Sequence, residues 1–218
     1  MDDRTVIYLH GFASSSRGEK AQFLKEKFQA VEDVRYLAID FNPTPVDFRE
    51  MTITGMINRL RQFVYDHQVK RPLLIGSSLG GLVSVQYAAL YPVEKMLLLA
   101  PLLAYQSLRM EEDALSLWKA RGIIEVDHFA FPGKLPLKYA FHLDALGYEE
   151  MIEPDGDILI IHGRKDERVP VEDSRFYTEK YPSRVRLQEV LSDHRLADQH
   201  DQIWELVLDF LITSEKQE

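Results

Sequence analysis

The sequence predicts an α/β fold, a mostly parallel sheet of about six strands with helices on both faces. Three observations predict it: short, nearly continuous apolar runs recur along the chain, a segment of helical periodicity follows each, and Gly or Pro punctuates the joins. Parallel strands need crossover connections and are buried on both faces, so their sequences read as apolar throughout rather than alternating.

In order, Val6, Ile7, Tyr8 and Leu9 form a buried strand that stops at His10-Gly11. Ser14, Ser15, Ser16 and Gly18 then lead into a helix over about 19–28, where Ala21, Leu24 and Phe28 recur at helical spacing. A second strand over 34–41 is broken by Asn42-Pro43-Thr44-Pro45, and Ile53, Met56, Ile57, Leu60 and Val64 mark an amphipathic helix. The third strand covers 72–75, a Gly/Ser turn over 76–81 opens a helix to about 90 that Pro92 ends, and the fourth strand covers 95–100. From 101 to about 154 the rhythm fails. Helical patterns around 106–120 and 137–150, separated by Phe131-Pro132-Gly133, predict a helical insertion within a single domain spanning 1–218, and it is a candidate cap. Its apolar residues Leu102, Leu103, Tyr105, Leu108, Leu115, Trp118, Phe129, Phe131 and Phe141 would either line an apolar pocket or pack onto the core. Alternation resumes with a strand over 157–161 ending at His162-Gly163, a helix over 171–181, a strand over 184–190 and a closing amphipathic helix over 197–211.

Composition removes several function classes. The chain has 218 residues, 26 Lys and Arg against 35 Asp and Glu, and a formal net charge of −9, with the basic residues dispersed. Nucleic acid and anionic membrane surfaces are therefore disfavoured partners, because phosphate recognition needs a clustered basic footprint. No cysteine is present, so thiolate catalysis, disulfides and Cys-ligated metal sites are excluded. The N-terminus lacks the pattern of a secretory signal and no apolar stretch approaches the ~20 residues of a spanning helix, so the expected location is the cytoplasm.

Gly76-Ser77-Ser78-Leu79-Gly80 is a G-x-S-x-G motif between an expected strand and an expected helix, the context in which such a turn lifts a serine hydroxyl above a sheet. A serine hydroxyl needs a base to become a nucleophile, and in this architecture an acid and then a histidine follow the serine along the chain. That order leaves His194 and His200. His194 lies in the loop Ser192-Asp193-His194-Arg195-Leu196 leaving a strand and is preferred, whereas His200 falls in a polar stretch early in a helix. Asp166, just after the run 158–161, stands at the address of the acid that orients the histidine, with Glu167 as the alternative. His10-Gly11-Phe12 after the first strand would set the Phe12 amide beside the Leu79 amide as two donors to an oxyanion. His10 and His162 are expected to be structural hydrogen-bonders.

With H-G-F, G-S-S-L-G-G, H-G-R-K-D-E-R-V-P and D-H-R-L in this order, the chain resembles the α/β-hydrolase superfamily over almost its whole length. The close run of Ser14-Ser15-Ser16 after His10-Gly11-Phe12, together with Gly76–Gly81, is similar to the small bacterial YqiA-like esterases. The resemblance implies a cytosolic serine hydrolase with no cofactor and no metal, cleaving small-molecule carboxylic esters or thioesters through an acyl-enzyme. Serine rather than aspartate at position 78 argues against dehalogenase or epoxide-hydrolase chemistry. An acyl-CoA thioesterase with the same triad is the alternative, for which Arg109, Lys119 and Arg121 are the available basic residues. A catalytically silent hydrolase-fold binding protein is the second alternative. Acyl chain length, leaving group and oligomeric state are not written in the sequence.

Overall fold

The computed structural model describes residues 4–108 and 111–212. The chain begins with β1 (Arg4–Leu9), α1 (Glu19–Phe28), β2 (Val34–Ile39), α2 (Pro45–Arg49) and α3 (Ile53–Asp66). It continues through β3 (Leu73–Ser77), α4 (Leu79–Ala88) and β4 (Lys95–Leu99), then α5 (Glu112–Arg121), β5 (Ile123–Asp127), β6 (Lys134–Lys138) and α6 (Ala140–Ala145). The last elements are β7 (Asp157–Gly163), α7 (Val171–Lys180), β8 (Val185–Val190) and α8 (His200–Leu206), which runs on as π-helical turns through Val207–Ile212.

Six strands pair in the order β2-β1-β3-β4-β7-β8, every pair parallel. This is the α/β-hydrolase architecture the sequence predicts. Because successive strand side chains point to opposite faces, the sheet feeds two cores. Ile7, Leu9, Leu74, Met96, Leu98, Ile158 and Ile160 pack with the buried faces of α3, α4 and α7. Val6, Tyr8, Leu73, Ile75, Leu97, Leu99 and Ile161 pack with Ala21, Leu24 and Phe28 of α1 and with the C-terminal helix. Helix α4 is buried along all ten residues, consistent with its central place under the sheet crossing, whereas α3 buries only its Ile53, Met56, Ile57, Leu60 and Val64 stripe.

Register places the site. Leu9 pairs with Gly76, Ser77 with Leu99, and Gly163 with Val190, so the loops leaving β1, β3, β7 and β8 emerge at one edge of the sheet. In open α/β sheets that carboxyl edge is where ligands bind.

Two local features differ from the sequence reading. The segment 101–154 is helical only in part, since β5 and β6 form an antiparallel hairpin. Ile124, Val126, Leu135 and Leu137 face inward at a period of two, Gly122 (φ 73°) ends α5, and Gly133 (φ 79°) serves the turn, so residues expected to start a helix at 137 are strand. The one-and-a-half-turn helix α2 stands where the sequence pattern marks only a break. Thr44 accepts the Asp47 N–H at 3.2 Å while Asp47 accepts the Thr44 N–H at 3.0 Å, a reciprocal cap with Pro45 in the first turn.

Of the two roles open to the apolar residues of the insertion, packing accounts for most. Leu102, Leu103, Tyr105, Trp118 and Phe141 belong to the core, and Leu108, Leu115 and Phe131 pack against it, while Phe129 is 75% exposed.

Candidate active site

Ser78 sits between β3 and α4 at φ 53° and ψ −115°, a sparsely populated conformation for a residue with a Cβ. Such a conformation stores about 1–3 kcal/mol and persists only where the surroundings over-determine it. Here they do: the Ser78 N–H donates to the Leu99 carbonyl at 2.9 Å, and the Ser78 carbonyl accepts from Gly81 at 2.8 Å and Leu102 at 3.0 Å. The flanking glycines are sterically required. A Cβ at Gly76 would lie 2.6 Å from the Gly80 carbonyl oxygen, and one at Gly80 would lie 2.8 Å from the Leu9 carbonyl carbon and 2.9 Å from the His10 carbonyl oxygen. The turn is thereby pressed against the end of β1, and the Gly11 Cα follows so closely that a Cβ there would sit 3.2 Å from the Ser78 Cβ.

The structure brings together the three residues singled out from the sequence. His194 Nε2 lies 3.1 Å from Ser78 Oγ, and His194 Nδ1 lies 2.7 Å from Asp166 Oδ2. Nδ1 faces a carboxylate and therefore donates, which leaves Nε2 as the acceptor for the serine proton. His194 is only partly covered, with 17% of its side chain exposed, whereas the Asp166 side chain is fully buried.

Asp166 is held on every side. Its Oδ1 accepts the backbone N–H groups of Arg168 and Val169, each at 2.9 Å, and its Oδ2 accepts from His194 and from His162 Nε2 at 3.1 Å. Burial alone would push this carboxyl up. The hydrogen bonds from His162, His194 and the Val169 N–H, with the nearby His194, outweigh it and hold Asp166 well below the usual carboxylate range. Glu167, the alternative acid, is exposed in the same turn.

The loop bearing His194 crosses the end of β7 at Gly163, where a Cβ would stand 2.6 Å from the Asp193 carbonyl oxygen. Lys165 N–H donates to the Ser192 carbonyl at 2.9 Å and Arg164 N–H to the Val190 carbonyl at 2.8 Å, tying the acid loop to the histidine loop. His200, the competing base, instead stacks on Phe23 with ring centroids 4.6 Å apart, in α8.

Phe12 lies in the loop after β1 and Leu79 is the first residue of α4, where a helix leaves its leading N–H groups without intrahelical partners. Phe12 is 37% exposed, and its ring centroid stands 5.8 Å from those of both Phe48 and Phe141. The insertion borders this loop, since Phe129 N–H donates to the Ala13 carbonyl at 2.9 Å.

His10 is a structural hydrogen-bonder: Nε2 accepts the Phe41 N–H at 3.0 Å and Nδ1 donates to the Gly11 carbonyl at 2.8 Å. Lys20, in the first turn of α1, is a partly covered amine. Burial pushes its amine down to about 8, and it lies in electrostatic reach of Glu19, Arg195, Asp193 and Asp166. Of the basic residues considered for a CoA moiety, Lys119 and Arg121 are exposed on α5, and Arg109 lies outside the described residues. Among the described residues no group of three or more His, Asp or Glu is arranged to hold a metal ion, and no helix is long and apolar enough to cross a membrane.

Comparison with known proteins places the chain among relatives. The family described as "Uncharacterised protein family (UPF0227)" matches residues 5–211. A curated protein from Methanothermobacter thermautotrophicus, called "Probable acyltransferase", is 31% identical over 135 residues, 56% of this chain but 38% of that protein's length. Est1E from Butyrivibrio proteoclasticus, solved with ferulic acid bound, superposes with a TM-score of 0.79 at 20% identity, covering 96% of this chain and 88% of its own. Alpha/beta hydrolase domain-containing protein 10 from mouse gives 0.77 at 19% identity, covering 95% and 89%, and a monoacylglycerol lipase from Paleococcus ferrophilus gives 0.71 at 16%, covering 94% of each. At these identities the structural likeness speaks for the fold.

Proposed function

Because this chain belongs to the UPF0227 (YqiA-like) family and has the α/β-hydrolase fold, we propose that it is a serine hydrolase that cleaves small-molecule carboxylic esters through an acyl-enzyme. The observation that carries the reading is the Ser78–His194–Asp166 array at 3.1 and 2.7 Å, built on a backbone that holds Ser78 in a strained turn.

In this reading Ser78 Oγ attacks the ester carbonyl while His194 Nε2 takes its proton. The imidazolium so formed is stabilised by Asp166, and the tetrahedral oxyanion is received by the Phe12 and Leu79 amides, each such donor worth about 3–4 kcal/mol in the transition state. His194 then protonates the departing alcohol, and water activated by the same imidazole releases the acid and regenerates Ser78. These steps call on Ser78, His194, Asp166, the two amides and one water molecule.

One observation favours a second acceptor for the acyl group: the curated relative is called an acyltransferase. An alcohol in place of water would turn the same acyl-enzyme towards transfer. An organophosphonate tests the nucleophile, since a base-activated serine attacks phosphorus much as it attacks carbon. Stoichiometric labelling at Ser78 with loss of esterase activity is the expected result. Labelling at Ser77, which is buried in β3, or none in folded protein, would remove the nucleophile from the mechanism. Adding a short alcohol to the assay then separates hydrolysis from transfer by the ester formed.

A further inference from the structure

Resting on the serine-hydrolase reading, we infer that His162 is a positioning residue, one that fixes the Asp166 carboxylate in the orientation His194 needs. His162 ends the buried run of β7 and is fully buried itself. Its Nε2 faces only acceptors, Asp166 Oδ2 at 3.1 Å and the Val169 carbonyl at 3.2 Å, so that nitrogen carries a proton and donates. Its Nδ1 meets the hydroxyl of Ser174, a buried residue of α7, at 2.8 Å. The imidazole is thus clamped at both nitrogens, and a line of contacts runs from Ser174 through His162, Asp166 and His194 to Ser78.

The ring restrains the carboxylate in two ways. Directly, it supplies the fourth donor. An ionised carboxylate offers about four lone-pair sites, and Arg168, Val169, His194 and His162 fill them with two donors on each oxygen. Indirectly, by donating to the Val169 carbonyl, His162 closes the 166–169 turn whose N–H groups grip Oδ1. With His162 removed, Oδ2 keeps one donor and the turn loses its tie. The carboxylate is then free to swing out of the His194 ring plane, and with it goes the control over which His194 nitrogen bears the proton. A merely structural histidine would stabilise the fold without affecting turnover of the folded enzyme.

The test compares His162→Leu and His162→Gln in the full chain, with kcat expressed per Ser78 titrated by an organophosphonate. The glutamine amide nitrogen falls near the place of Nε2 and keeps a donor for Asp166, whereas leucine fills space without one. His162→Leu is expected to lower kcat about 10- to 100-fold, the scale on which outer hydrogen-bonding partners of functional histidines act, with KM changed less than about twofold. His162→Gln should recover most of the loss, and Ser174→Ala should fall between. The downfield proton resonance of the His194 Nδ1–H to Asp166 hydrogen bond should weaken in the leucine variant and persist in the glutamine one. If His162→Leu does not fold, His162→Asn replaces it, since its shorter amide reaches Ser174 but not Asp166. Wild-type kcat per titrated site in the leucine or asparagine variant, or glutamine as impaired as they are, would overturn the proposal. Failure of the wild-type protein to label at Ser78 would overturn it differently, by removing the hydrolase reading on which it rests.

Discussion

Replacing Asp166 by Asn changes one atom, and the contacts around that atom set the size of the effect. The amide must put its NH2 on one side or the other. Placed at Oδ1, it would face the N–H groups of Arg168 and Val169, two backbone donors that cannot turn away. Placed at Oδ2, it faces His194 and His162, whose rings can exchange tautomers. The amide therefore settles with NH2 towards His194, and His194 answers by accepting at Nδ1 and carrying its proton on Nε2. That proton now points at Ser78 Oγ, 3.1 Å away, and the imidazole cannot act as base. Wrong-tautomer variants of established serine triads lose on the order of 10⁴ in kcat, which corresponds to about 5 kcal/mol of activation free energy. The assay is steady-state hydrolysis of a p-nitrophenyl ester normalised to folded protein by circular dichroism, with Glu167→Gln as the control expected to cost little. Retention of more than about a tenth of wild-type kcat in Asp166→Asn, with Glu167→Gln inactive, would refute the reasoning and move the acid by one residue.

Three further outcomes follow from other contacts. His194→Ala should reduce turnover nearly as far as Ser78→Ala because the array acts as a unit, while His200→Ala, remote in its stack on Phe23, should leave most activity; the reverse ranking in the same assay would transfer the base to His200. Gly80→Ala should destabilise the fold by about 1–3 kcal/mol in urea unfolding, since its Cβ meets backbone of Leu9 and His10 rather than a side chain that can yield, and an unchanged midpoint would contradict the close packing of the turn. Lys20→Met should raise stability by about 3 kcal/mol at pH 7, at ~1.4 kcal/mol for each pH unit between the folded value of about 8 and the ordinary value of 10.5, a gap caused chiefly by burial. The sign follows from a folded value of about 8 beneath the unfolded one: below 8 the buried charge weighs against folding, and the gain should vanish as pH rises past 10. A gain constant from pH 7 to 10.5 in thermal melts would show that the charge is not its source.

Legibility in the sequence followed the range of the interactions. Val6–Leu9 and Met96–Leu99 could be read as strands because burial on both faces forces an unbroken apolar run, and α3 because its five buried residues keep one stripe. Ser78 was legible because the two glycines that its turn requires lie within two residues of it. Helix α2 was legible in principle, through Thr44-Pro45 and the Asp47 cap, but five residues give too short a period to register. The hairpin was missed for a different reason. Leu137, Phe141 and Ala145 are spaced like a helical stripe yet belong to β6 and then α6, and only the alternation of 123–127 with 134–138 separates the two periods.

The site itself depends on pairings that no local pattern reveals. Ser78 and His194 are 116 residues apart, and His194 and Asp166 are 28 apart. Strand order and register supply the coarse approach by bringing the ends of β1, β3, β7 and β8 to one edge. Two glycines then set the fine distances. Gly80 lets the serine turn sit directly on the backbone of Leu9 and His10, and Gly163 lets the Ser192–Asp193 backbone pass over β7 with no side chain between. A methyl group at the first crossing would displace Ser78 from the Phe12 loop; at the second it would lift His194 from Asp166. The His194–Asp166 and Ser78–His194 contacts, at 2.7 and 3.1 Å, fail with shifts of less than about an ångström. On the serine-hydrolase reading neither glycine takes part in the chemistry, yet substitution at either should reduce kcat even in molecules that remain folded, because the two crossings set where Ser78 and His194 stand relative to their partners.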